Sequence, residues 1–141
     1  MSLFHLALPI HDIAKARHFY ETVLQCAVGR TAERWVDINF WDHQVSLHLV
    51  DDLEVSDPTN SVDSDAVPVR HFGLILDWTD WHALSERLMN GEYAETITWI
   101  IKPKIRFQGE VGEQATMFFR DPSGNALEFK SFQDPSQVFA S

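Results

Sequence analysis

Apolar and polar residues alternate along most of this chain, and two apolar stretches at helical spacing interrupt the alternation. Leu3–Ile10 (LFHLALPI) reads as a strand. Asp12 is a good helix N-cap, and Ile13, Ala16, Phe19, Tyr20, Val23 and Leu24 then recur every three to four residues. Ala27–Thr31, Arg34–Trp41 and His43–Val50 follow as extended segments. The order then repeats. Val69–Asp77 (VRHFGLILD) reads as a strand, Thr79 caps a helix carrying Trp81, Leu84 and Leu88, and Asn90-Gly91 ends it. Thr98–Ile105, Ala115–Arg120 and Asn125–Phe132 are the closing strands, the last two joined by a hairpin turn at Asp121–Gly124 (DPSG). Each half is thus a strand, a helix and three strands, an α+β pattern of two βαβββ modules over residues 3–50 and 69–133.

Between them, residues 51–68 carry six of the chain's 21 acidic residues and read as a solvated connector. The whole chain has 11 Lys+Arg against 21 Asp+Glu, a net charge of −10. Such a balance argues against binding a phosphate backbone, which needs a basic face. A length of 141 residues fits one domain and excludes a barrel of eight β/α units, which needs about 250. The single Cys26 has no partner for an intramolecular disulfide. No apolar run is long enough to span a membrane, and the N-terminus lacks a basic leader, so the expected location is cytoplasmic.

Placing the polar residues on the repeat brings out candidate chemistry. His5 and His71 occupy the third position of their strands, 66 residues apart. Side chains alternate across a strand, so His5 shares a face with Ala7, and His71 with Gly73. On the last strand of each half, Gln44, Ser46 and His48, and Ala126, Glu128 and Lys130, form the polar faces. If each half curves over its helix, His5, His48, His71 and Glu128 line a shared concavity. Two histidines and a carboxylate on rigid strands suit Fe(II), and also Mn, Ni or Zn. A lone strand histidine is more often a hydrogen-bonded structural residue than a ligand; the repetition is what raises these above that. His11, His18, His43 and His82 read as surface or capping residues. Trp35, Trp41, Phe107 and Phe118 are core or pocket lining. Phe107–Gln114 (FQGEVGEQ) reads as a loop.

The openings FHLALPIHDIAKARHFYETVL and RHFGLIL and the ending MFFRDPSGNALEFKSF resemble the vicinal oxygen chelate superfamily, which holds glyoxalase I, bleomycin-resistance proteins and extradiol dioxygenases. HQVSLHL and RFQGEVGEQATMFF look most like small bacterial proteins described as predicted extradiol dioxygenases. The resemblance implies paired βαβββ modules forming a cupped mixed sheet around one divalent metal. It places His5, His71 and Glu128 on the metal-ligand positions. His48 falls on a fourth position, a metal ligand in glyoxalase I and an unligated acid/base in the extradiol enzymes. It implies an Fe(II) ring-cleaving dioxygenase acting on a small molecule, with a glyoxalase-like lyase or isomerase on Ni, Zn or Mn and a drug-binding protein as rivals. Ring-cleaving enzymes carry a tyrosine ten residues before the ligand glutamate; here that position is Phe118. Arg106, Glu113, Gln114 and Thr116 are then the polar residues available to a substrate. Small two-module members commonly pair, so a homodimer is expected.

Overall fold

The computed structural model describes residues 2–54, 59–62 and 64–141; the parts of the connector at 55–58 and 63 lie outside the described residues. It is an α+β structure with two four-stranded mixed sheets. The chain divides into two compact units. The first is Met1–Ser56 together with Asp121–Asn125, and the second is Asp57–Arg120 with Ala126–Ser141.

In the first unit β1 (His5–Ile10), β2 (Ala27–Ala32), β3 (Trp35–Phe40) and β4 (His43–Leu49) make a sheet of order β1-β4-β3-β2. β1 runs parallel to β4, because a helical crossover separates them. That crossover starts as expected: the Asp12 carboxylate accepts a hydrogen bond from Lys15 N at 2.8 Å, capping α1 (Ile13–Arg17). The helix then widens into a π-helical segment over His18–Val23, closed by Leu24 N donating to Phe19 O. The widening places Tyr20 wholly inside, where its hydroxyl donates to Asp121 Oδ2 at 2.8 Å. The DPSG turn forms as predicted, with Gly124 N donating to Asp121 O and Gly124 at φ +87°. It belongs to the first unit: Asn125 Nδ2 donates to Pro9 O and His11 N to Ser123 Oγ. Cys26 is buried and in no disulfide among the described residues.

In the second unit a two-stranded hairpin, β5 (Thr59–Val62) and β6 (Asp65–Pro68), precedes β7 (Phe72–Ile75). After α2 (Trp78–Asn90) come β8 (Thr98–Arg106), β9 (Gln114–Arg120) and β10 (Ala126–Phe132), in sheet order β7-β10-β9-β8. The cap of α2 is Asp77 rather than Thr79, and it makes no side-chain cap bond. Gly91 ends α2 as expected. α2 covers the apolar face of the sheet, where Trp81 Nε1 donates to Phe129 O at 2.8 Å and Phe119 stacks on Phe129. The polar face carries His71, Glu128, Thr116 and Phe118.

The hairpin corrects the expectation of a wholly solvated connector. Asp65 pairs with Lys104 and Arg106, and Val67 is buried in a cluster with Ile101 and Phe118. Charge density hid a short alternation: in Asp65-Ala66-Val67-Pro68 the acidic residue finds cations and the valine finds a core.

Candidate metal-binding face

The second unit joins two of the expected ligands. Glu128 on β10 lies opposite Gly73 on β7, so His71, the residue just before β7, and Glu128 stand one pleat apart on one face. His71 Nε2 is 3.5 Å from Glu128 Oε1, with side chains 31% and 17% exposed. The outer atoms of both groups are tied. His71 Nδ1 lies 2.7 Å from the Pro68 carbonyl; a carbonyl only accepts, so Nδ1 carries the proton and neutral His71 has its lone pair on Nε2. Glu128 Oε2 accepts from Thr116 Oγ1 at 2.6 Å, which leaves Oε1 toward His71. Phe118, directly across from Glu128 on β9, meets the His71 ring edge-on at 4.9 Å. A Cβ at Gly73 would overlap the Glu128 backbone carbonyl, so the close approach of β7 to β10 at the ligand requires glycine.

This pair fits a divalent cation. Two ligands ~2.1 Å from one ion stand about 3.0–3.4 Å apart for octahedral to tetrahedral angles, close to the observed separation. A ligating histidine characteristically donates its other N–H to a carbonyl or carboxylate, as His71 does. Among the described residues no cluster of three or more His, Cys, Asp or Glu side chains is poised to hold a metal. His71 and Glu128 therefore offer two donor atoms rather than a complete cage.

His5 and His48 belong to the first unit, on exposed positions of one face of its sheet. Their register differs from that of the second unit. His5 lies opposite Gln44 and His48 opposite Pro9, a displacement of four residues, or about 13 Å along the strands. Rings standing off the sheet do not both reach one cation across that span. If His5 corresponds to His71, the counterpart of Glu128 is Ser46; if His48 corresponds to Glu128, the counterpart of His71 is Ala7. The two expected equivalences do not hold together. Ser46 donates to Asp37 Oδ1 at 2.6 Å, and Asp37 stands across from it as Phe118 stands across from Glu128.

Of the expected substrate contacts, Thr116 and Phe118 adjoin Glu128. Arg106 is tied to Asp65, and Gln114 pairs with Arg106 at the far end of the sheet. His43, His82 and His11 have structural bonds to Phe4 N, Trp78 O and Ser123 Oγ. A cleft of about 490 Å³ on the first unit, lined in part by Gly29, Asp37 and Gln44, contains neither His71 nor Glu128. Pro68, Asp65 and Lys104 carry no signal of these contacts in the sequence. The glycine two residues after His71 was the one visible signal.

A hairpin ending beside a strand histidine, and a glutamate one pleat away on the neighbouring parallel strand, sit on a βαβββ framework present in both units. The sequence pattern of the glyoxalase/bleomycin resistance protein/dioxygenase superfamily matches residues 2–129. The chain belongs to this superfamily. A solved glyoxalase/bleomycin resistance protein/dioxygenase from Alicyclobacillus acidocaldarius is 30% identical, with TM-score 0.77 over 98% of this chain and 96% of that one. The fosfomycin resistance protein FosX from Listeria monocytogenes is 14% identical, with TM-score 0.67 and 97% of each chain covered. Lactoylglutathione lyase from Agrobacterium tumefaciens is 17% identical, with TM-score 0.65 over 99% of this chain and 97% of that one. At such identities the last two share the fold alone. No curated protein sequence matches the chain. Among the described residues no helix is long and apolar enough to cross a membrane.

Proposed function

We propose that this superfamily member is a metal-dependent enzyme acting on a small molecule, and that it is an Fe(II) dioxygenase of the extradiol type. The observation that carries the proposal is the His71–Glu128 pair, with Nε2 and Oε1 turned to one point and both outer atoms held. The third ligand of this proposal, a histidine of the first module, comes from the superfamily resemblance. The β1–β4 register allows either His5 or His48 to serve, but not both on one ion. Either choice gives two histidines and one carboxylate, the set that leaves positions open on non-haem Fe(II). The four-protein-ligand arrangement of a glyoxalase I is disfavoured by the same register. We take His5 as the ligand, leaving His48 to exchange a proton with the substrate.

Bound Fe(II) would supply a Lewis acid for the substrate oxygens and a site for O2. The chain itself orients the ligands. The Pro68 carbonyl holds the Nδ1 proton of His71, Thr116 Oγ1 fixes the Glu128 carboxylate, and Phe118 presents carbon rather than a hydroxyl beside them. The chain is expected to act as a homodimer.

The test is metal analysis of anaerobically purified protein, with O2-uptake assays on catechols and a parallel hemithioacetal assay. One iron per chain with catechol-dependent O2 uptake is expected. His5→Ala should lose metal, and His48→Ala should keep metal while losing turnover. Loss of metal from both variants, with hemithioacetal turnover, would overturn the dioxygenase in favour of the lyase. A protein without metal that still binds small aromatic molecules would overturn both.

A further inference from the structure

β6 runs over the polar face of the second sheet and links an ion-pair cluster to a metal ligand within four residues. At one end, Asp65 Oδ2 receives both Lys104 Nζ and Arg106 Nη2, the latter at 3.3 Å. Arg106 is 10% exposed, Asp65 30% and Lys104 38%; a lone surface pair is worth little, and here one carboxylate meets two cations at once. In the middle, Val67 packs on Ile101 and Phe118, and Phe118 is the ring that meets His71. At the other end, the buried Pro68 directs its carbonyl to His71 Nδ1. Lys104 lies directly across from Thr116, whose hydroxyl holds Glu128. Both cationic anchors therefore sit on the strand next to the one that braces the carboxylate ligand.

The His71 tautomer depends on where the Pro68 carbonyl lies. Without that acceptor, the imidazole reverts toward the Nε2–H tautomer that free histidine favours, and Nε2 then has no lone pair for a cation. The position of Pro68 depends in turn on β6, whose one charged attachment to β8 is Asp65.

We propose that Asp65 is a positioning residue for His71: by anchoring β6 to Lys104 and Arg106 it holds the Pro68 carbonyl against Nδ1 and keeps Nε2 free for the metal. The inference rests on His71 as a ligand, but half of its test does not need a metal. Long-range 1H–15N spectra of the metal-free protein report the His71 tautomer directly. Zn2+ titration by calorimetry reports the affinity. In the wild type, His71 should be mainly Nδ1–H. Asp65→Asn should raise the Nε2–H fraction and weaken Zn2+ binding about tenfold, the low end of the 10–100-fold range for lost outer partners of a ligand. Asp65→Glu should restore both. Lys104→Ala provides an independent disruption of the same anchor and should act in the same direction. Arg34→Ala, which breaks an exposed pair with Asp51 on the first unit, should change neither.

A folded Asp65→Asn with the wild-type tautomer and Zn2+ affinity would overturn the proposal. If Asp65→Asn does not fold, an unchanged tautomer in Lys104→Ala would do so. Failure of the metal assignment is distinguishable: His71→Ala would then leave Zn2+ binding unaltered, while the tautomer shift in Asp65→Asn would still test the anchor.

Discussion

The two nitrogens of His71 do different work, and so do the two oxygens of Glu128. One atom of each pair is bonded into the protein, and the other faces its counterpart across the pleat. The division predicts that Thr116→Val, nearly isosteric but without the donor, keeps the fold and weakens metal binding about tenfold. Calorimetric titration with Zn2+ checks it, and affinity equal to wild type would show that the hydroxyl is not needed. Glu128→Gln should be more severe, because it removes the anionic member of the proposed pair; metal content below one tenth of wild type is expected. The sequence made the faces of His71 and Glu128 visible, because a strand's period of two assigns each residue to a side. It left Pro68 out of view, because a backbone carbonyl has no side-chain signature, and it put His48 and Glu128 on the polar faces of the two closing strands without fixing their pairing register. Register depends on which residues pair across strands, and the alternation is the same for any shift of two.

At the scale of elements, the short contacts are set by unusual backbone. Gly73 lets β7 approach β10 at the Glu128 carbonyl. Gly73→Ala should force the strands apart, lowering both thermal stability and metal content; unchanged melting would show that β7 shifts without cost. The π-helical segment does comparable work in the first unit by turning Tyr20 inward to Asp121. Burial pushes the Tyr20 hydroxyl well above its ordinary pKa, and nearby Asp121 adds to this. Tyr20→Phe leaves a buried carboxylate short of a donor and should cost about 1–3 kcal/mol, measurable by urea unfolding. Helical spacing located this stretch, but a π turn and an α turn look alike in a sequence. The β5–β6 hairpin was hidden differently: Asp65 reads as solvent-facing in sequence, and its partners Lys104 and Arg106 lie some 40 residues on.

For the whole molecule, two carboxyls bend the acid limb of stability in opposite senses. The hydrogen bond from Lys104 is the main cause holding Asp65 below its ordinary pKa. Its contribution is therefore present above the unfolded value of about 3.9 and is lost as pH falls through the lower folded value. Burial raises Asp121 despite donors from Asn125, Tyr20 and Ser123, so its contribution is greatest below the unfolded value and declines as pH rises through the folded one. Asp65→Asn should thus be less stable than wild type at pH 7 and lose less stability between pH 5 and 3, as read by denaturant titration across that range. A parallel pair of curves would show that Asp65 does not gain from its partners. Net charge, by contrast, says little about the site: much of it lies in the segment between the modules.

The turn Asp121–Asn125 has a consequence for how the chain can be divided. Its flanking strands belong to the second unit, yet its side chains hold Tyr20, Pro9 and His11 in the first. The two halves look like tandem copies that a protein engineer could clip apart at the acidic segment, but a fragment cut there would leave behind the acceptor of its own buried tyrosine. Split-protein complementation, circular permutation and module exchange among relatives would each have to carry those five residues along. The five-residue turn, as much as the acidic segment, decides where this chain can be cut.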